Sequence, residues 1–479
     1  MDPTTFRRHG HELVDWIADY FEHVEDYPVL SRNRPGAIAA ALPSHAPEEG
    51  EPFEAIMADF ERVLVPGLTH WNHPGFFAYF AITGSAPGVL ADFLSAALNQ
   101  QAMLWRTSPA ATELETVTLA WLRRLIGLPD AFEGVIYDTA SVATMHALVA
   151  AREMAIADVR AKGLAGRRDV PPARVYCSDQ THSSIDKAMI AIGLGHDSLR
   201  KIASDEEFRM RADILRDAIA EDRAAGRQPI AVVATVGTTS TTSVDPVPAI
   251  ADICAREGIW LHVDAAYAGV AAMLPSHAHI LQAVDRADSV VVNPHKWLFT
   301  PFDLSAFYCR RMDVVRAAFA LTPEYLRTTE AEAARNLMDT GVQLGQRFRA
   351  LKLWLVLRSF GARAIRAHLA EHIRLAQVFA DWVDAHPDFE RMAPVPFSVV
   401  CFRWKPAASS VATEWTDDAL DAANEKLIDV VNQTGEVFLS HTRLRGRIAL
   451  RIAIGHLRTT EQHVRRAWDL LQQHAAVLV

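Results

Sequence analysis

The sequence predicts an α/β protein with a mainly parallel central sheet, an N-terminal helical segment and a small C-terminal α+β domain. Three observations carry this. Short apolar runs alternate with helical stretches from about residue 83 to 310, as βαβ units require. The chain opens on apolar residues at helical spacing with charges between them. Near the other end, Pro387, Pro394 and Pro396 mark a change of texture ahead of two more strand-like runs. The expected divisions are 1–82, 83–365 and 366–479.

Taken in order, Phe6, Leu13, Trp16, Ile17, Tyr20 and Phe21 form the apolar side of an amphipathic helix that ends before Tyr27-Pro28 and needs a partner surface. A second helical stretch, around 53–64, leads into Trp71-Asn72-His73-Pro74-Gly75-Phe76-Phe77-Ala78-Tyr79-Phe80, where proline and glycine predict a loop. Five strand runs follow, at 134–137, 173–176, 230–234, 260–263 and 289–292. Each is succeeded by polar residues, and ligands of open α/β sheets bind beyond the carboxyl ends of the strands. A helical pattern over 344–360 passes through Gly361 into a long helix near 364–383. Strands at 398–403 and 448–453 and a helix at 460–471 complete the C-terminal domain.

With 479 residues, half of them hydrophobic, the chain can bury a large core. A net charge of −10 argues against nucleic acid or an acidic membrane surface as a partner. Cys177, Cys254, Cys309 and Cys401 are widely spaced, which supports neither a disulfide framework nor a thiolate metal site and points to a cytoplasmic protein. No export signal or membrane span is legible.

Lys296, in Asn293-Pro294-His295-Lys296-Trp297, follows the run Ser289–Val292, and Asp264 ends the run before it. An amine and a carboxylate so placed suit pyridoxal phosphate: the lysine forms a Schiff base with the cofactor aldehyde and the carboxylate keeps the pyridine nitrogen protonated. Taken singly, Asp264 reads first as a helix cap and Lys296 as an exposed loop lysine; their pairing reverses that reading. Thr139-Ala140-Ser141 opens a predicted helix and offers free N–H groups to a phosphate, or simple capping. His182 reads as structural or as an imidazole laid over a cofactor ring, and Gly237-Thr238-Thr239 as an ordinary turn or further hydroxyls. His368-Leu369-Ala370-Glu371-His372 matches H-x-x-E-H, the pattern of a zinc metallopeptidase. Flanked by Arg363, Arg366 and Arg374, it reads better as a solvated helix face, and His277 and His279 as surface histidines.

Several longer motifs, in order, resemble the group II pyridoxal-phosphate decarboxylases. They are 73–80, Ser108-Pro109-Ala110-Ala111-Thr112-Glu113-Leu114-Glu115, 178–184, 261–269, 293–297, Pro323-Glu324-Tyr325-Leu326 and Leu344-Gly345 with Arg347-Phe348-Arg349. The resemblance covers nearly the whole chain and is strongest to the aromatic-L-amino-acid decarboxylase type. It implies the type I fold of aspartate aminotransferase, in a homodimer whose N-terminal helices pack across the partner and whose active sites lie at the interface.

By the same resemblance, Lys296 is the Schiff-base lysine, Asp264 the partner of the ring nitrogen, Ala266 a ring contact and His182 the stacking imidazole. Ala140, Ser141, Asn293 and His295 hold the phosphate, with Thr239 nearby. Trp71, Tyr79, Phe80 and Met103 line the substrate pocket, whose aromatic character suits tryptophan, tyrosine or dihydroxyphenylalanine. Tyr325 is the proton donor that directs the product to amine and CO2. Two departures stand out: Val142 replaces a glutamate common in relatives, and Met103 an aromatic pocket residue. The rival outcome on the same site is oxidative conversion to an aromatic acetaldehyde; a noncatalytic cofactor-binding regulator lacks the basic surface or added module it would need.

Overall fold

The computed structural model describes residues 1–321, 334–407 and 415–477. Two compact units are present, one of residues 1–81, 378–392 and 402–479, the other of residues 82–377 with 393–401.

The larger unit is built on a seven-stranded sheet. In chain order its strands are β1 Glu133–Tyr137, β2 Ala173–Ser178, β3 Leu199–Ile202, β4 Gln228–Thr235, β5 Trp260–Asp264, β6 Ser289–Val292 and β7 Ser305–Cys309. They lie side by side as β1-β7-β6-β5-β4-β2-β3. The pairings of β2 with β3 and β4, of β4 with β5 and of β5 with β6 are parallel, and β7 runs antiparallel between β6 and β1. Strands β5 to β7 are buried along their whole length. That explains why their sequences are continuous apolar runs without alternation. All five strand runs expected in this region are present.

Two strands of this sheet, β3 and β7, were not legible. The edge strand β3, Leu-Arg-Lys-Ile, carries two charges because only part of its length is covered. The antiparallel β7 returns after a short connection rather than a helical crossover.

The smaller sheet has the order β10-β11-β9-β8, from β8 Phe389–Arg391, β9 Val399–Trp404, β10 Ser440–Leu444 and β11 Arg447–Ala453. The closing helix is Glu461–Ala475. The aromatic segment 71–80 runs beside this sheet as a loop: Phe77 N donates to Phe438 O at 2.8 Å and Ala453 N to Phe77 O at 2.9 Å. The first helix, Pro3–His23, is capped by Asp2, whose carboxylate accepts from the N–H groups of Thr4 and Thr5. Trp16 meets Phe60 edge-on and the Tyr20 hydroxyl bonds His70 Nδ1 at 2.9 Å, so the amphipathic face is partly covered within its own unit, while Phe6 stays exposed. The pattern expected from residue 344 begins as a helix at Ala350 and runs to Ala385, broken at Gly361, whose φ of 67° is left-handed. Among the described residues no helix is long and apolar enough to cross a membrane.

Candidate active site

Five of the predicted segments follow the carboxyl ends of strands in the seven-stranded sheet: 139–141 after β1, His182 after β2, Thr239 after β4, Asp264–Ala266 at β5 and Asn293–Lys296 after β6. Since β7 is antiparallel to both its neighbours, β1 points the same way as β6, and the five ends share one edge of the sheet. Backbone hydrogen bonds continue the pairing past the strands. Val236 N donates to Asp264 O at 2.8 Å, Ala265 N to Val291 O at 3.0 Å and Asn293 N to Ala266 O at 3.0 Å. Thr181 and Thr235 hydroxyls lie 3.5 Å apart, tying the turn before His182 to the end of β4.

Asp264 is buried, and its carboxylate accepts from Ala266 N at 3.0 Å. Two positions back on the same face of β5, His262 is also buried. Its Nε2 bonds the Thr144 hydroxyl at 3.1 Å and its Nδ1 the Ser289 hydroxyl at 2.8 Å, and Ser289 also accepts from Trp260 Nε1. Thr144 belongs to the helix Ala140–Ala155, so this polar chain fastens the helix to the sheet face that bears Asp264. The helix N-terminus, with Thr139 as cap and Ala140 and Ser141 in the first turn, is thereby set over that edge. Nothing in the sequence singled out Thr144, His262 and Ser289. The usable signal was the polar residues at 262 and 289 within otherwise apolar strands.

Lys296 lies in a single helical turn, Pro294–Trp297, and is half-buried. Its neighbours are firmly held. Trp297 stacks on Tyr267 at 4.8 Å with 6° between the planes and donates to His372 Nδ1, while the Tyr267 hydroxyl bonds Ser398. Asn293 Oδ1 accepts from the Ser305 hydroxyl at 2.6 Å, and His295 Nδ1 accepts from Leu304 N at 2.9 Å. Burial, and then the charge of Lys296, holds His295 down at about 3, so its ring is neutral and carries its proton on Nε2.

His182 is exposed, its Nδ1 bonded to Ser184. Crowding by the surrounding protein, and then the positive charge of Lys296, holds its pKa below the ordinary value, with Asp264 opposing. Thr239 is exposed at the tip of a turn begun by Gly237, whose φ is 89° and where a Cβ would stand 2.6 Å from that of Ala268.

Trp71, Tyr79 and Phe80 belong to the smaller unit. Trp71 stacks on Tyr79 at 6.0 Å, Arg451 lies 4.6 Å over the Phe80 ring, and Tyr79 is exposed in a left-handed conformation. Met103, in the larger unit, packs against Leu104 and Met338. Tyr325 lies outside the described residues.

The H-x-x-E-H motif departs from the solvated face expected of it. His372 is buried and accepts from Trp297, whereas Glu371 faces outward in a two-pronged ion pair with Arg374. Among the described residues, the side chains close enough to share a metal are His9, Glu12 and Glu54, where Arg8 already pairs with Glu54 and Glu12. His277, half-buried, lines with exposed His279 a separate cleft of about 550 Å³.

An amine, a carboxylate, an imidazole, the small buried side chain of Ala266 and a helix N-terminus on one sheet edge form a donor set that fits pyridoxal phosphate. The family model described as the pyridoxal-dependent decarboxylase conserved domain matches residues 35–405. The chain is 39% identical over 489 residues to phenylacetaldehyde synthase of Arabidopsis thaliana, spanning 100% of this chain and 97% of that one. It is also 39% identical over 489 residues to tryptophan decarboxylase TDC1 of Camptotheca acuminata, spanning 100% and 95%. The crystal structure of Oryza sativa TDC with PLP and tryptamine superposes with a TM-score of 0.95 at 37% identity, covering 100% of this chain and 99% of that one. With the sheet-edge arrangement and these end-to-end matches together, the chain belongs to the pyridoxal-dependent decarboxylases, enzymes that use pyridoxal phosphate to remove the carboxyl group of an amino acid.

Proposed function

We propose that this enzyme decarboxylates an aromatic L-amino acid, such as tryptophan, tyrosine or dihydroxyphenylalanine, to the amine and CO2. The observation that carries the reading is that Asp264 ends β5 and Lys296 follows its parallel neighbour β6, with His182 beyond β2 on the same edge of the sheet. Bound there, pyridoxal phosphate supplies a ring that accepts the electron pair left when the carboxyl group departs. Lys296 Nζ would provide the amine that holds the cofactor. Asp264 would keep a proton at the ring nitrogen, and His182 and Ala266 would contact the ring.

The phosphate is assigned to the N–H groups and hydroxyl of Ala140 and Ser141, with Thr239, Asn293 and His295. Neutral His295 suits this role, since Nδ1 is spent on Leu304 and the Nε2–H is left to donate. Trp71, Tyr79, Phe80 and Met103 are assigned to the substrate side chain.

Tyr325 is assigned as the phenol that returns a proton to Cα, which directs the reaction to amine. A second reading, oxidation to an aromatic acetaldehyde, is favoured by the likeness to a phenylacetaldehyde synthase.

A homodimer is part of the reading. The helix Ala86–Leu98 leaves Leu90, Phe93, Leu94 and Leu98 between 44% and 54% exposed along one side, an apolar stripe that a second copy would bury. The N-terminal segment 1–82, with Phe6 54% exposed, is assigned to the same interface. Cys177, Cys254, Cys309 and Cys401 are buried and form no disulfide, which suits the cytoplasm.

The test is to supply the purified holoenzyme with each aromatic L-amino acid and quantify CO2, amine, aldehyde and peroxide. One amine per CO2 is expected. Aldehyde with peroxide overturns the amine assignment, and no CO2 from any aromatic substrate overturns the substrate class.

A further inference from the structure

His262 bonds across three elements at once. It stands on β5; its Nε2 meets the Thr144 hydroxyl on the helix Ala140–Ala155 at 3.1 Å, and its Nδ1 meets the hydroxyl of Ser289, the first residue of β6, at 2.8 Å. Ser289 is also its register partner in the parallel pair and accepts from Trp260 Nε1 at 2.9 Å. His262, Thr144 and Ser289 are all fully buried. Burial keeps the imidazole neutral, and a neutral ring satisfies every group when the chain runs one way: Trp260 N–H to Ser289, Ser289 O–H to Nδ1, Nε2–H to Thr144.

Each of the three elements carries a different part of the assigned cofactor site. One helical turn before Thr144 are Ala140 and Ser141, assigned to the phosphate. Two positions beyond His262, on the same face of β5, is Asp264, assigned to the ring nitrogen. Beyond Ser289, β6 leads to Asn293 and Lys296. Four residues of helix rise about 6 Å and two residues of strand about 6.6 Å. From the His262–Thr144 bond, helix and strand therefore reach the edge of the sheet in matching steps, and one flat ring with a short phosphate arm must meet both ends together.

Apolar side chains of like shape could fill the same space, and exchanging both partners of a buried bond for them is often nearly neutral for stability. What apolar contact cannot supply is a fixed register, because it is non-directional, whereas a hydrogen bond sets distance and angle and a satisfied buried network makes one arrangement rigid.

We propose that His262, bonded to Thr144 and Ser289, is a positioning residue for the cofactor, holding the phosphate-binding helix end, the Asp264 carboxylate and the Lys296 turn at the separations that pyridoxal phosphate spans. This rests on the assignment of Ala140 and Ser141 to the phosphate and of Asp264 to the ring nitrogen, and adds what sets their spacing.

The experiment compares the holoenzymes of wild type, Thr144→Val, Thr144→Ser, Ser289→Ala and Ser141→Asp. Cofactor release is followed as decay of the visible band after dilution, and melting temperatures are measured with and without added pyridoxal phosphate. Thr144→Val and Ser289→Ala are expected to speed release by about fivefold or more and to shrink the rise in melting temperature that the cofactor confers. Thr144→Ser keeps the hydroxyl and is expected to release at close to the wild-type rate. Ser141→Asp sets a carboxylate against the phosphate and is expected to speed release by about tenfold or more. A bond that serves only the fold would lower the melting temperatures with and without cofactor equally and leave release unchanged; that result in Thr144→Val and Ser289→Ala overturns the proposal. Should Thr144→Val not fold, Ser289→Ala decides alone, because it cuts the same chain from the β6 side. Release at the wild-type rate from Ser141→Asp overturns the phosphate assignment itself. Faster release from Ser141→Asp with unchanged release from Thr144→Val and Ser289→Ala upholds that assignment and overturns only the positioning role.

Discussion

Trp297 donates its indole N–H to Nδ1 of His372 at 3.0 Å, and so fastens the residue next to Lys296 to a helix 75 positions later in the chain. Both partners are buried. Replacing Trp297 by phenylalanine keeps a ring against Tyr267 but leaves His372 Nδ1 without this donor. A loss of about 1–3 kcal/mol is expected, seen as a lower melting temperature of the holoenzyme. An unchanged melting curve would show that the bond adds nothing.

Lys296→Ala removes the amine assigned to the cofactor link, and Asp264→Asn removes the charge assigned to the ring nitrogen. The first is expected to abolish the visible band of the linked coenzyme and to lower kcat by at least about 10³-fold. The second is expected to retain a visible band and to lose about 10²–10³-fold in kcat. Absorbance spectra and steady-state rates check both. A normal band in Lys296→Ala would remove Lys296 from its assignment.

Tyr325→Phe deletes only a hydroxyl. If that group protonates Cα, amine formation falls and oxygen-dependent formation of aldehyde, ammonia and peroxide rises with the same aromatic substrate. Product analysis under air and under nitrogen distinguishes the outcomes. Amine output equal to that of wild type would dismiss Tyr325 as donor.

Burial drives His262 down to about 4, well below the ordinary value of 6.5. Between these two values the unfolded chain binds a proton that the native histidine refuses, so its contribution to stability is lost as the pH falls through that window. Glu115 and Asp245, pushed up to about 7 by burial, act in the opposite sense over the same range. The difference between wild type and His262→Gln isolates the histidine. The wild-type advantage is expected to shrink by about 2 kcal/mol from pH 7 to pH 4.5, measured by denaturant melts at each pH. A difference independent of pH would contradict a neutral, buried His262.

Leu94, 49% exposed on the stripe of helix Ala86–Leu98, is the place to test the homodimer. Leu94→Glu puts a charge where a second copy would otherwise exclude water, a cost of several kcal/mol if the surface is buried. Sedimentation is expected to show monomers and the decarboxylase rate to fall. A dimer of wild-type stability would place the interface elsewhere.

Much of the site was legible because its chemistry sits at strand ends. A run such as Trp260–Val263 followed by Asp264, or Ser289–Val292 followed by Asn293 and Lys296, announces both the strand and the group it presents, since burial on two faces demands an unbroken apolar run. The charged edge strand β3, the three-residue β8 and the polar β10 carry too little of that pattern to be read. Residues 344–349 carry a helical pattern, yet the helix begins at Ala350, because Gln346 and Arg347 bond instead to the extended segment at Gln101 and Ala102.

Strands β1, β2, β4, β5 and β6, and the places of Asp264, His182 and Lys296 at or just past strand ends, were thus legible in the sequence alone, through local periodicity and motifs. Only the tertiary structure decided that β5 and β6 are neighbours, that His262 joins Thr144 to Ser289, and that His372 turns inward to Trp297 while Glu371 stays outside. Local pattern reports how a residue meets water and its near neighbours in the chain. Which distant side chain completes a hydrogen bond is set by how the whole sheet and its helices pack, a choice made among partners that no short window of sequence contains.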